Sequence, residues 1–228
     1  WARLQYLVAR SGPSAANLIE GGLFARGSQI DQMPDLQYFF LVGAGIEEGT
    51  DSVPGGTGCT LNFEHVRPRS RGSVTLRSAD PTHLPRIAPN YMTDPYDLER
   101  LVEGYLIGQD IMSQPAFSAY VAAQHYPGRT FVDRTELGAF LRKNARAALH
   151  PVGTCKMGTD FMSVVDPQLR VRGIENLRVA DASIMPNIVS GNTNAACTMI
   201  GERAADIIRG FPSLRESADV AARVGSTA

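Results

Sequence analysis

Residues 149–158 read LHPVGTCKMG, and this stretch packs a histidine, a proline, two glycines, a cysteine and a lysine into ten positions. The chain holds four histidines in all, so His150 is not part of a histidine-rich tract. Proline fixes its own φ and pushes the preceding residue toward an extended conformation, so His150-Pro151 is a rigidly posed imidazole. Gly153 and Gly158 permit tight turning or close approach. A fixed imidazole suits general-base catalysis, where geometry comes before pKa. A hydrogen-bonded structural histidine in a buried loop would read the same way, and both readings stay open at this level. Cys155 beside Lys156 raises a reactive thiolate as a third reading, but nothing nearby resembles a cysteine-hydrolase signature.

A second candidate stretch lies in the last third. NLRVADASIMP reads as a short strand, Leu177 to Ala180, ending at Asp181. VSGNTNAACTMIGERAADIIRG then reads as a helix capped by Asn192 or Asn194 and closed by Gly210. Strand, acidic residue, polar turn and helix N-terminus together suit a ligand at the carboxyl edge of a sheet. The unpaired N–H groups of the first helical turn favour an anionic group there. A plain β-α connection with a good cap is the equal alternative. Gly43-Ala44-Gly45 with Gly49 is a decoy: its GxGxxxG spacing and the following TDSVPGGTG rule out a dinucleotide turn, and it reads as a loop.

The elements that must position these residues follow from periodicity. The opening WARLQYLVAR is a short amphipathic helix stopped at Ser11-Gly12-Pro13. PDLQYFFLV reads as a buried strand, TLNFEHV and GSVTLRS as further strands, and the proline-rich ADPTHLPRIAPNYMTDP as an irregular connection. DLERLVEGYLIGQDIMSQ is the clearest helix, with Leu98, Leu101, Val102, Tyr105 and Leu106 on one face after Asp94-Pro95. Another helix starts at Asp133, with Glu136 three residues on, and runs through Phe140 and Leu141.

Composition narrows the class. Apolar residues at 43% and charged ones at 20% are ordinary for a globular protein with a core. A net charge of -1 and the lack of a basic run interleaved with aromatics exclude a nucleic-acid partner. Apolar runs such as YFFLVGAG are too short to cross a bilayer. Three separated cysteines form no disulfide framework and suit a reducing compartment, and no histidine or cysteine spacing suggests a metal. A cytoplasmic location follows, with membrane association the alternative. His65, His83 and His125 read as surface or loop residues, Cys155 and Cys197 as packing residues, and Phe24, Tyr38, Phe39 and Phe40 as core in preference to a substrate pocket.

Taken in order, RPRSRGSVTLRSADP, PRIAPNYMTDPYDLERLVEG, HPVGTCKMG, VVDPQLRVRGIENLRVADASIMP and GNTNAACTMIGERAADII resemble the glucose-methanol-choline (GMC) family of flavin-dependent alcohol oxidoreductases, and among them its choline-dehydrogenase-like members. The family's Gly-rich FAD fingerprint has no counterpart, so the resemblance is to the C-terminal portion, with an N-terminal FAD-binding half as the expected partner. It implies an α+β fold: an antiparallel-sheet substrate domain with helices over 1–145, a segment 146–212 completing the FAD-binding α/β domain with a strand and a helix, and a polar tail over 213–228. It implies oxidation of a choline-like or other primary alcohol to an aldehyde, with His150 as catalytic base and Asn192 as hydrogen-bond donor to the alkoxide. FAD is the implied cofactor, met by Asp181, Ala182, Asn192, Thr193 and Asn194. Hydroxynitrile-lyase chemistry and a non-catalytic fragment are the alternatives. The chain by itself is expected to bind FAD weakly, and its apolar faces to be covered by the upstream half or by a second copy in a homo-oligomer.

Overall fold

The computed structural model describes residues 2–27, 33–43 and 58–211. Of the decoy, positions 44–49 lie outside these residues, as does the tail over 213–228. The architecture is α+β, and it divides into two compact units, Trp1–Gly72 with Ala88–Arg146, and Ser73–Ile87 with Ala147–Ala228.

In the first unit, helix α1 (Ala2–Ala9) precedes a three-stranded antiparallel sheet of β1 (Ile19–Ala25), β2 (Leu36–Leu41) and β3 (Thr60–His65), with β2 in the centre. The aromatic run of β2 is central because both neighbours pair with it: Tyr38 stands opposite Leu23 on one side and Phe63 on the other. Strand β1 escapes the sequence reading. Its Gly21-Gly22 pair carries no strand propensity and its side chains stay largely exposed, so no alternating pattern marks it; hydrogen bonding to β2 makes it a strand. The proline-rich connection likewise contains a short strand, β5 (Arg86–Ala88), paired with β4 (Ser73–Thr75), and this pair falls almost wholly within the second unit.

Helix α2 (Pro95–Ser113) begins as its sequence requires: Asp94 caps it by accepting from Tyr96 N at 2.9 Å, with Pro95 just inside. It packs on the sheet through Gly104 and Gly108. A Cβ at Gly104 would stand 2.7 Å from Phe63, and the Gly104 carbonyl accepts from the buried Tyr38 hydroxyl at 2.8 Å. Burial, and secondarily the charge of Asp35, pushes that phenol well above its ordinary pKa. Helix α3 (Arg134–Asn144) is capped by Asp133, which accepts from Thr135 N at 2.8 Å; Glu136 lies 3.5 Å from Arg129. Val102, Tyr105, Phe131, Leu137 and Leu141 form the core between α2 and α3. His65 departs from the expected surface role: its side chain is buried, with Nδ1 2.9 Å from the Asp35 carbonyl, because it points to the same sheet face that α2 covers. His83 and His125 are exposed, as expected.

Besides the β4–β5 strand pair, the described part of the second unit is mostly looped chain around one α-helix, α4 (Asn194–Arg209). Val165, Leu169, Ile184, Met185, Ile200 and Ala204 form its core. The strand expected at Leu177–Ala180 is not one. That segment holds a single antiparallel bridge, Arg170 to Arg178, with backbone bonds between Val171 and Leu177 and between Val179 and Leu169. Extended chain becomes a strand only where a neighbour continues the ladder, and here the ladder ends after one bridge. No helix among the described residues is long and apolar enough to cross a membrane.

Candidate functional site

His150 is held by its own loop. Leu149, directly before it, has φ +59°, and Gly153 has φ +89°. A side chain at Gly153 would press against the Met185 carbonyl at 3.3 Å, so this glycine serves both the turn and the close approach. The loop is then laced to a second segment: Cys155 N donates to Ser183 O at 3.0 Å and Met157 N to Ile184 O at 2.7 Å. The next turn is tied by Asp160, whose carboxylate accepts from Ser163 Oγ, Lys156 Nζ and Met162 N. Those contacts, the Ser163 hydroxyl foremost, lower its pKa to about 2.

The laced segment leads through Ser190 (φ +54°) and Gly191 to Asn192, which returns to His150. Asn192 Nδ2 lies 3.5 Å from His150 Nε2, across 42 positions of sequence. This is the outer limit of a hydrogen bond, so the two groups are neighbours more than a closed pair. The amide nitrogen only donates, and an imidazole nitrogen in its neutral, acceptor form can take a proton. A hydroxyl oxygen set against both would lose its proton to one and receive a hydrogen bond from the other.

The remaining expected residues divide. Asn194 is the first residue of α4 and Thr193 its N-cap, with no side-chain cap bond. The expectation that Asn192 or Asn194 caps the helix is thus corrected. Thr193 occupies the cap with αR backbone angles (φ -86°, ψ -12°), whereas side-chain capping favours an extended cap residue. No acidic residue stands in the first turn of α4 either. Asp181 turns back on its own chain: its carboxylate accepts from Ser183 N at 2.8 Å and from the Ser183 hydroxyl, capping the 3-10 turn Ala182–Ile184. Ala182 packs beside the core, as does Cys197. Tyr38 is core, Phe40 lies against Phe117, and Phe24 is exposed on β1. Leu149 and Ser190 in the left-handed region went unnoticed in the sequence, since neither residue type signals that conformation.

Comparison with known proteins places the chain. The family model described as GMC oxidoreductase matches residues 68–201. An alcohol dehydrogenase (acceptor) of Pseudomonas putida is 42% identical over 203 residues, 89% of this chain and 37% of the relative. An oxygen-dependent choline dehydrogenase of Citrobacter koseri is 42% identical over 213 residues, 93% of this chain and 38% of the relative. Among solved structures, a formate oxidase from Aspergillus oryzae studied for its FAD modification superposes with a TM-score of 0.83 at 27% identity, over 92% of this chain and 41% of that one. Pyridoxine 4-oxidase from Mesorbium loti gives 0.80 at 28% identity, over 89% and 40%. The chain therefore spans less than half the length of these relatives. With the family model covering more than half of its residues, this chain belongs to the GMC oxidoreductase family.

Proposed function

We propose that this chain supplies the proton-accepting and alcohol-orienting part of an FAD-dependent oxidoreductase that converts an alcohol to an aldehyde. The observation that carries the reading is the 3.5 Å approach of His150 Nε2 and Asn192 Nδ2, on two segments laced together by backbone hydrogen bonds. The substrate hydroxyl would sit against both, at the apex of a triangle with the two nitrogens. Nε2 of His150 takes the hydroxyl proton, a task suited to an imidazole near neutral pH. Nδ2 of Asn192 donates to the oxygen as negative charge gathers there. A bound FAD would supply the hydride acceptor for the alcohol carbon.

The chain's own residues fit such a group on one count in particular: α4 opens at Asn192, Thr193 and Asn194 with no side-chain cap from Thr193 and no acidic residue in its first turn, so its N-terminal N–H groups are donors there. Those donors suit the electron-rich edge of a reduced ring system. Asp181 and Ala182 would meet the ribityl-phosphate part, with the Asp181 carboxylate already braced by Ser183. The three cysteines, all free, fit a reducing compartment, and the cytoplasm is the proposed location. The test is His150→Ala in the full-length protein: flavin reduction by alcohol should slow by about 10²-fold or more with FAD still bound. Stopped-flow reduction at the parent rate would end the assignment.

A further inference from the structure

The loop that carries His150 hangs on one short turn. Three successive carbonyls of that turn meet it. Ser183 O accepts from Cys155 N at 3.0 Å, and Ile184 O accepts from Met157 N at 2.7 Å. Met185 O lies against Gly153, 3.3 Å from where a Cβ would stand. The aim of the imidazole therefore follows the directions in which these carbonyls point.

Burial holds the turn in place without setting those directions. Ile184 and Met185 are buried and share a core with Ile200 and Ala204 of α4. Such packing is non-directional, whereas a carbonyl's direction is set by backbone torsions. The turn's own backbone bonds are long, with Ile184 N 3.3 Å from Asp181 O and Met185 N 3.2 Å from Ala182 O. A 3-10 turn of three residues has poor hydrogen-bond geometry of its own. Firmer bonds come from one side chain. Asp181 is extended (φ -148°, ψ -173°), as a cap residue should be, and its Oδ1 accepts from Ser183 N at 2.8 Å and from the Ser183 hydroxyl. Ser183 is thus bound on two sides, its amide and hydroxyl to Asp181 and its carbonyl to Cys155. One residue and its hydrogen bonds connect the Asp181 carboxylate to the loop of His150.

We propose that Asp181 is a positioning residue for His150: its carboxylate fixes the turn Ala182–Ile184, whose carbonyls aim the loop that carries the imidazole. The inference rests on the reading of His150 as proton acceptor, and it goes beyond a contact between Asp181 and the flavin.

The test follows flavin reduction by alcohol in the full-length protein with its FAD. Asp181→Ala should slow reduction, counted per bound flavin, by about tenfold; misplacing a reacting group by about 1 Å costs up to about 10²-fold. Asp181→Asn, an equally good cap, should recover most of that loss. Asp181→Glu, which keeps the charge but is not a preferred cap, should not. Asp181→Glu as fast as Asp181→Asn, or faster, would show that the charge is used and not the cap, and overturns the proposal. Weaker flavin binding in Asp181→Ala with parent rates per bound flavin assigns Asp181 to the cofactor alone, and overturns it too. If Asp181→Ala does not fold, the order of the asparagine and glutamate variants still decides.

His150→Ala supplies the second arm. Added to that variant, Asp181→Ala should slow reduction little further, because no imidazole is left to aim, and residues acting as a unit are non-additive. A full further tenfold loss there overturns the positioning role alone. Parent reduction rates in His150→Ala by itself overturn the reading of the site.

Discussion

His65 and Asp97 meet inside the first unit, with His65 Nε2 3.5 Å from Asp97 Oδ1 and side chains only 4% and 5% exposed. The pair joins the end of β3 to the first turn of α2. Asp97 also accepts from the amides of Arg69 and Ser70, at 2.8 Å each, so one carboxylate anchors strand end, loop and helix start. Arg69 stacks over Tyr96 at 3.6 Å, and the His65 ring meets the same tyrosine edge-on, which closes the cluster.

Burial works against the charge on Asp97, yet the hydrogen bonds from Arg69 and Ser70, with His65 beside them, hold its carboxyl below the usual range. A carboxylate whose folded pKa is lowered adds stability above its unfolded pKa and loses it as pH falls through the folded value. Asp97→Asn should therefore cost about 1–3 kcal/mol at pH 7, the range for hydrogen bonds to a charged group and a buried partner left unpaired. The difference from the parent should shrink on acidification below the ordinary carboxylate range. Urea unfolding of both proteins from pH 7 down to the lowest pH at which they stay folded checks this; parallel curves across the whole range would contradict it.

Gly104 lies where α2 touches the sheet, with Phe63 and Leu36 at 2.7 and 3.2 Å from the position of an added Cβ. Gly104→Ala improves helix propensity by roughly 1 kcal/mol but forces Phe63 to move in a packed interface, a change costing about 1–3 kcal/mol. Net destabilisation is expected, together with weakening of the Tyr38–Gly104 hydrogen bond. A lower urea midpoint at constant m is the readout, and a raised midpoint would show that Phe63 has room to give.

Asn192 is the donor half of the proposed site. Asn192→Ala in the full-length protein should lower kcat/KM for alcohol by about 10²-fold, the scale for losing one preorganised donor to a developing oxyanion. Asn192→His, which keeps an N–H donor, should restore part of it. An alanine variant with parent kcat/KM at saturating acceptor would remove Asn192 from the chemistry.

The sequence alone determined the features whose cause is local. Helices α2 and α3 were legible because Asp94-Pro95 and Asp133 satisfy the first N–H groups of their own helices, and because apolar residues recur with the helical period. His150 stood out because His-Pro and Gly153 constrain the backbone within a few residues, and the ordered motifs around it carried the family. The rest depended on partners far along the chain. β1 exists through pairing with β2, and the extended run at 177–180 stops short of a strand because its ladder does not continue. His65 is buried because α2, some thirty residues later, brings Asp97 to it. The cap of α4 fell to Thr193, where three polar candidates stood in a row and only backbone angles separate them. The site itself is of the second kind. His150 and Asn192 are 42 positions apart, and their meeting requires the lacing of 155–157 onto 183–184, two strained turns and a glycine against the Met185 carbonyl. Side-chain type announces which groups are able to do chemistry, but a distance between two of them is a property of the folded backbone.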